Sequence, residues 1–101
     1  MESEMLGSLL KPDSVAVIGA SRSPGKVGHE ILANMIESGF EGAIVPINPT
    51  ADEVLGLKCY PDLKTYGQKV DMTVISVPTK YVRASVEDSI AAGAKAVTII
   101  T

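Results

Sequence analysis

Cysteine, histidine and aromatic side chains are almost missing from this chain of 101 residues. The single cysteine, Cys59, excludes a disulfide framework or a cysteine-based metal cage within the chain. One Phe, three Tyr and no Trp leave the core to be built from Val, Ile, Leu and Ala. No apolar run approaches the roughly 20 residues of a membrane-spanning helix. The N-terminal stretch "MESEMLGSLLK" is acidic where a secretory signal is basic. Positive charge is not in surplus either: the formal net charge of −3 argues against a general nucleic-acid or anionic-membrane surface. Any anion site must therefore be local. The one histidine, His29, has no Asp, Ser or Cys partner recognisable by spacing, and reads as a structural or surface residue. Paired carboxylates and metal motifs are missing. These absences together point to a cytoplasmic chain that holds a ligand and has no catalytic or metal-ligating residue of its own.

What is present suffices for one small domain over residues 1–101. A hydrophobic content of 46% with 21% charged residues supports a real core. "SEMLGSLL" has the makings of two helical turns, stopped by Pro12. "SVAVIG" is short, β-branched and apolar throughout, as a strand covered on both faces should be. From 26 to 38 the period becomes helical. Val27, Ile31, Leu32 and Met35 share one face, Lys26, Glu30 and Glu37 lie opposite, and Gly39 is a C-terminal stop. "GAIVPIN" is a second strand and "VDMTVISVP" a third, ended by Pro78. Thr79 is expected to cap a helix over 80–92, with Val82, Val86 and Ile90 inward and Arg83, Glu87 and Asp88 outward. Gly93 closes it, and "KAVTIIT" is a fourth strand. Between the second and third strands the pattern predicts an irregular crossover with a strand-like "LKCY" and a helical turn over 62–66.

This alternation predicts an α/β fold: a parallel sheet with right-handed crossovers and helices on both faces. The last strand is reached at the last residue, so the chain reads as a fragment of something longer, truncated after its fourth main strand. An unpaired final strand would also offer an edge for homo-oligomer formation. In such sheets ligands bind beyond the carboxyl ends of the strands, at the switch point. Those ends are "GASRSPG", "NPT", "VPTK" and the final Thr101.

"GASRSPGKVG" suits a phosphate. Gly19 turns the chain off the strand, Gly25 relieves the loop, and Gly28 falls where a helix must pack closely on the sheet. A helix N-terminus presents free N–H groups and partial positive charge. Ser21 and Ser23 add hydroxyls, and Arg22 and Lys26 add charge. A ligand-free strand–helix turn is the plainer alternative. The loop is not a Walker loop, because Val27 follows Lys26 where Ser or Thr is required, and its glycines are not spaced G-x-G-x-x-G. The dinucleotide fingerprint also wants an acid at the end of the second strand. Here that strand ends in Asn48-Pro49-Thr50, with Asp52 and Glu53 only later. Asn48 is either a ribose or base contact or merely part of a turn. Val77-Pro78 is either an apolar wall beside the crevice or punctuation before Thr79 and Lys80. Cys59 reads as packing.

The stretch from "SVAVIGASRSPGKVGHEILANMIESGFEGAIVPINPTADEVLGLKCYPDL", with "VDMTVISVPTKYV" and "AGAKAVTIIT", resembles the CoA-binding domain of NDP-forming acyl-CoA synthetases. That family includes ADP-forming acetyl-CoA synthetases and the α subunit of succinyl-CoA synthetase. The resemblance runs from about residue 6 to 101. It rests most specifically on "SVAVIGAS" with "PGKVG", on "INP" and on "LGLKCYPDL". It implies a Rossmann-like fold and coenzyme A as the ligand. The loop 21–28 would grip its phosphates, Asn48-Pro49 would lie near the nucleotide, and Val77, Pro78 and Thr79 would flank the adenine or pantetheine. A diphosphate plus a ribose 3′-phosphate suits a long loop with two cations. Many relatives carry a lysine directly after "NP", where this chain has Thr50, so CoA affinity would be weaker here unless Arg22 and Lys26 supply the charge.

In the full-length family the reaction implied is acyl-CoA + NDP + phosphate ⇌ acid + CoA + NTP, through an acyl phosphate and a phosphohistidine. The phosphohistidine and ATP-grasp domains it needs lie elsewhere, in cis or in a partner subunit, and His29 does not fill that role. The same type of module also stands before the acetyltransferase domain of some protein acetyltransferases, or alone. An NAD(H)-binding domain is the remaining alternative.

Overall fold

The computed structural model describes residues 12–100. The expected helix in "SEMLGSLL" and the site residue Thr101 lie outside the described residues. The elements run β1 (Ser14–Ile18), α1 (Val27–Glu37), β2 (Ala43–Ile47), β3 (Glu53–Val54), β4 (Leu57–Lys58), α2 (Leu63–Tyr66), β5 (Met72–Ile75), α3 (Thr79–Ala91) and β6 (Ala96–Ile99). Four strands form one parallel sheet in the order β2-β1-β5-β6. β1 is thus central, the chain winds outward from it in both directions, and the switch point falls between β1 and β5. This is the doubly wound, Rossmann-like arrangement that the alternating pattern implied.

After Ser14, β1 is apolar and buried at every position because both of its faces are covered. Ala16 and Ile18 pack with Val45, Ile47, Leu63, Val70 and Ile75 on the side of α2 and α3. Val17 turns the other way and meets Leu32 of α1, together with Ala51, Val54 and Cys59. Pro46 lacks an N–H yet sits inside β2. It is tolerated because β2 is an edge strand, and its carbonyl is taken by Tyr60 N–H at 3.1 Å. At the opposite end of the sheet Asp71 fixes the start of β5. Its carboxylate accepts from Asp13 N–H at 2.7 Å and its own N–H donates to Ser14 Oγ at 3.0 Å.

Several details depart from the periodicity. β5 begins at Met72 and ends at Ile75, shorter than "VDMTVISVP", because the chain leaves the sheet at Ser76 to line the crevice. The strand-like "LKCY" is half of a two-residue hairpin, β3–β4, turned by Leu55 and Gly56, both at positive φ. Thr79 does not cap α3: the N-cap is Pro78, and no side chain caps the helix. Ile90 is 66% exposed instead of inward. α3 docks through the small residues Ser85 and Ser89, with Ser89 Oγ satisfied by the Ser85 carbonyl at 2.8 Å. This close approach turns Ile90 out. Val27 is likewise 50% exposed, because Gly28 and Leu32 make the inward contacts of α1.

Candidate functional site

Beyond the carboxyl ends of β1, β2 and β5 lies a crevice of two adjoining hollows. The hollow on the α3 side measures about 590 Å³, and its walls include Asn48, Pro49, Asp62, Tyr81, Ser85 and Asp88. The hollow on the α1 side measures about 360 Å³ and includes Lys26, Val27, Gly28 and Ile100. They share Gly19, Ser21, Ser76, Val77 and Pro78, so an extended ligand could lie across both.

Two glycines make this geometry possible. Gly19 leaves β1 at φ +96°, and a Cβ there would collide with the Ser76 carbonyl. At Gly28 a Cβ would collide with the Gly19 carbonyl. The loop therefore lies directly between the sheet and the first turn of α1, where any side chain would push the layers apart. That first turn has no side-chain cap, since Lys26 at the N-cap makes no such bond. Uncapped N–H groups at a helix start favour an anion.

The loop is fastened from both neighbouring elements. Gly19 and Ala20 N–H groups donate to the Ile47 carbonyl at 3.1 Å each. Asn48 Nδ2 donates to the Ala20 carbonyl at 2.8 Å. The Asn48 Oδ1 accepts from the N–H groups of Thr50 and Ala51 at 2.9 and 3.0 Å, and from Thr50 Oγ1 at 3.1 Å. The amide thus brackets two loops, and the turn reading of "NP" describes most of what Asn48 does here. His29 is 9% exposed and donates from Nδ1 to the Ser21 carbonyl at 2.9 Å. Ser21 Oγ accepts from Ser23 N–H at 3.0 Å.

Of the expected site residues, Gly19, Ser21, Lys26, Val27, Gly28, Asn48, Pro49, Val77 and Pro78 line one or both hollows. Arg22, Ser23 and Gly25 are exposed on the loop above them, and Thr79 is exposed at the start of α3 without lining either hollow. The residues that sequence reasoning missed are Ser76, Asp62 and the crevice face of α3, Tyr81, Ser85 and Asp88. The i, i+4, i+7 spacing of those three was the available signal. Asp62 caps α2 through a bond from Thr65 N–H at 2.7 Å. That bond holds its carboxyl below the ordinary aspartate value. Cys59 is buried, and burial pushes its thiol up, away from the reactive thiolate.

Among the described residues no helix is long and apolar enough to cross a membrane. Comparison with known proteins adds independent findings. A family model described as a CoA binding domain matches residues 13–101. Acetate–CoA ligase [ADP-forming] II of Archaeoglobus fulgidus is 45% identical over 96 residues, covering 95% of this chain and 14% of that protein. The subunit alpha of acetate–CoA ligase [ADP-forming] I from Pyrococcus furiosus is 43% identical over 100 residues, covering 95% of this chain and 22% of that protein. The apo structure of dinucleotide forming acetyl-coenzyme A synthetase 1 from Ca. Korarchaeum cryptofilum superposes with a TM-score of 0.90 at 48% identity. The match covers 95% of this chain and 21% of that one. The chain spans less than a quarter of the length of each of these three relatives.

Proposed function

The chain belongs to the CoA-binding domain family, and on that premise we propose that it binds coenzyme A in the crevice across β1 and β5 as the CoA-holding domain of an ADP-forming acyl-CoA synthetase. The observation that carries this reading is the division of the crevice. Both α1 and α3 start without a side-chain cap, and the α1 side adds Lys26 in its wall and Arg22 on the exposed loop above it. The α3 side adds Tyr81, Asp62 and Asp88 to the shared Val77 and Pro78. Phosphates are attracted to the first and repelled from the second. An extended ligand with a polyanionic part and a neutral part fits that asymmetry.

The residues present fit CoA better than a dinucleotide. No acid ends β2, and Asn48 is already bonded on both sides of its amide. Thr50 has its hydroxyl bonded to Asn48 and contributes no cation, so Arg22 and Lys26 supply the charge. CoA provides the thiol that carries an acyl group. The residues of this chain hold and orient it, and the acyl phosphate and nucleotide chemistry belongs to domains elsewhere in the ligase. His29 faces a backbone carbonyl, and Cys59 is buried with a raised thiol pKa.

Calorimetric titration with CoA, dephospho-CoA and NADH, at low and moderate salt, tests the reading. CoA should bind most tightly, weaken without its 3′-phosphate and weaken again with salt. NADH binding more tightly than CoA would overturn the proposal.

A further inference from the structure

A trans peptide is planar, so a carbonyl and the N–H that follows it point to opposite sides. All peptide bonds among the described residues are trans. Two consecutive carbonyls of the glycine loop are held by side chains from different elements. Asn48, just after β2, takes the Ala20 carbonyl at 2.8 Å, and His29 of α1 takes the Ser21 carbonyl at 2.9 Å. The N–H groups of Ser21 and Arg22 therefore face away from their tethers. Neither has an acceptor within the described residues, whereas the next N–H, that of Ser23, is closed onto Ser21 Oγ. Two successive open N–H groups are left free to donate to an anionic oxygen.

We propose that His29 is a positioning residue for the anionic part of the ligand: by holding the Ser21 carbonyl inward it aims the Arg22 N–H outward at a phosphate. Asn48 does the same one residue earlier. The inference rests on the CoA reading for the identity of the natural ligand, but the device itself requires only a phosphate. Facing a carbonyl oxygen, Nδ1 must be the protonated ring nitrogen in neutral His29. The imidazole is nearly buried between loop and helix, so it acts through the backbone and not by touching the ligand. Asparagine places an amide N–H near the position of Nδ1, whereas leucine fills the space without a donor.

The test uses the 101-residue chain with CoA, phosphate-free pantetheine and inorganic diphosphate as probes, for wild type, His29→Leu and His29→Asn. The expected result is a roughly 10-fold loss of CoA affinity in His29→Leu, as for one lost charge-assisted hydrogen bond. Pantetheine binding should be unchanged, and His29→Asn should recover most of the loss. Equal losses for CoA and pantetheine, or equal losses in both variants, would overturn the proposal. In amide NMR spectra of the wild type, diphosphate should shift the Ser21 and Arg22 signals. If diphosphate moves them while CoA does not bind, the positioning role stands and the CoA reading falls. If neither probe moves them, the positioning role falls. Imidazole nitrogen spectra, which need no substitution, should show a protonated Nδ1 and a bare Nε2 in neutral His29. The opposite tautomer refutes the proposal even if His29→Leu fails to fold.

Discussion

The hollow on the α1 side of the crevice and the hollow on the α3 side share Gly19, Ser21 and the 76–78 segment, yet their remaining walls differ in kind. One wall is a backbone loop with cations and open N–H groups. The other is built of side chains from a strand end and one helix face, bordered by Asp62 and Asp88. Both lie on the same parallel sheet, at its switch point. The contrast teaches that the fold places the crevice, while local sequence gives each half its own chemistry and, on the proposed reading, its own end of the ligand. In a chain with net charge −3, the proposed polyanion site is local, on the loop that carries Arg22 and Lys26.

The shared wall is where both halves break together. Gly19→Ala adds a Cβ against the Ser76 carbonyl on a backbone at positive φ. We expect a loss of about 3 kcal/mol of stability. For a domain of this size that lowers the melting temperature by roughly 10–20 °C, read by thermal denaturation. Gly25→Ala, whose Cβ would meet nothing within 4 Å, should cost only the positive-φ penalty of about 1–2 kcal/mol. Equal costs at the two sites would refute the packing argument.

The halves separate under the next two substitutions. Arg22→Ala combined with Lys26→Ala should weaken CoA binding about 10-fold, near 1.4 kcal/mol, and flatten its salt dependence. Stability should change by no more than about 0.5 kcal/mol, since both side chains are exposed. Tyr81→Ala removes a half-exposed ring from the α3 side. Its cost should be smaller, about 3-fold, and the same at both salt concentrations. Salt-dependent loss at Tyr81, or salt-independent loss at the cations, would contradict the assignment of the two halves.

The smallest effect concerns the rim. Asp62 has a folded-state pKa below its ordinary value of 3.8, caused first by the Thr65 N–H bond. A depressed carboxyl stabilises the fold while ionised. Its contribution is present above the unfolded value and lost as pH falls through the folded one. Asp62→Asn should therefore differ from wild type near neutral pH and converge with it as pH falls through the depressed folded-state value. Denaturation at several pH values reads this directly. A constant difference would show that the charge is not what matters at this cap.

How much of this was legible depends on the residue. The strands, the glycine loop and α1 were readable because short β-branched runs and a 3.6-residue period report burial directly. The helical turn over 62–66 was readable as well, though not the cap that Asp62 supplies. Ile90 and Val27 misled, because their apolar character predicts burial only if the helix docks on its most apolar stripe. The serine and glycine contacts rotate each helix away from that stripe. His29 was readable as a structural or surface residue by its lack of partners, and burial decides for structural. Its hold on Ser21 was not, because the carbonyl it meets is eight residues earlier and belongs to a loop.

From its sequence alone this protein was bound to form a parallel, doubly covered sheet with an anion-suited loop after β1. That much depends on local periodicity and on glycines whose positions demand special backbone. Its family is likewise written in contiguous motifs, above all "SVAVIGASRSPGKVG". Only the tertiary structure decided that Ala20 and Ser21 would be tethered by Asn48 and His29, and that the face of Tyr81, Ser85 and Asp88 would close the far side. Those contacts join residues on separate elements, and their geometry follows from how closely small residues let the layers approach, which no local pattern encodes.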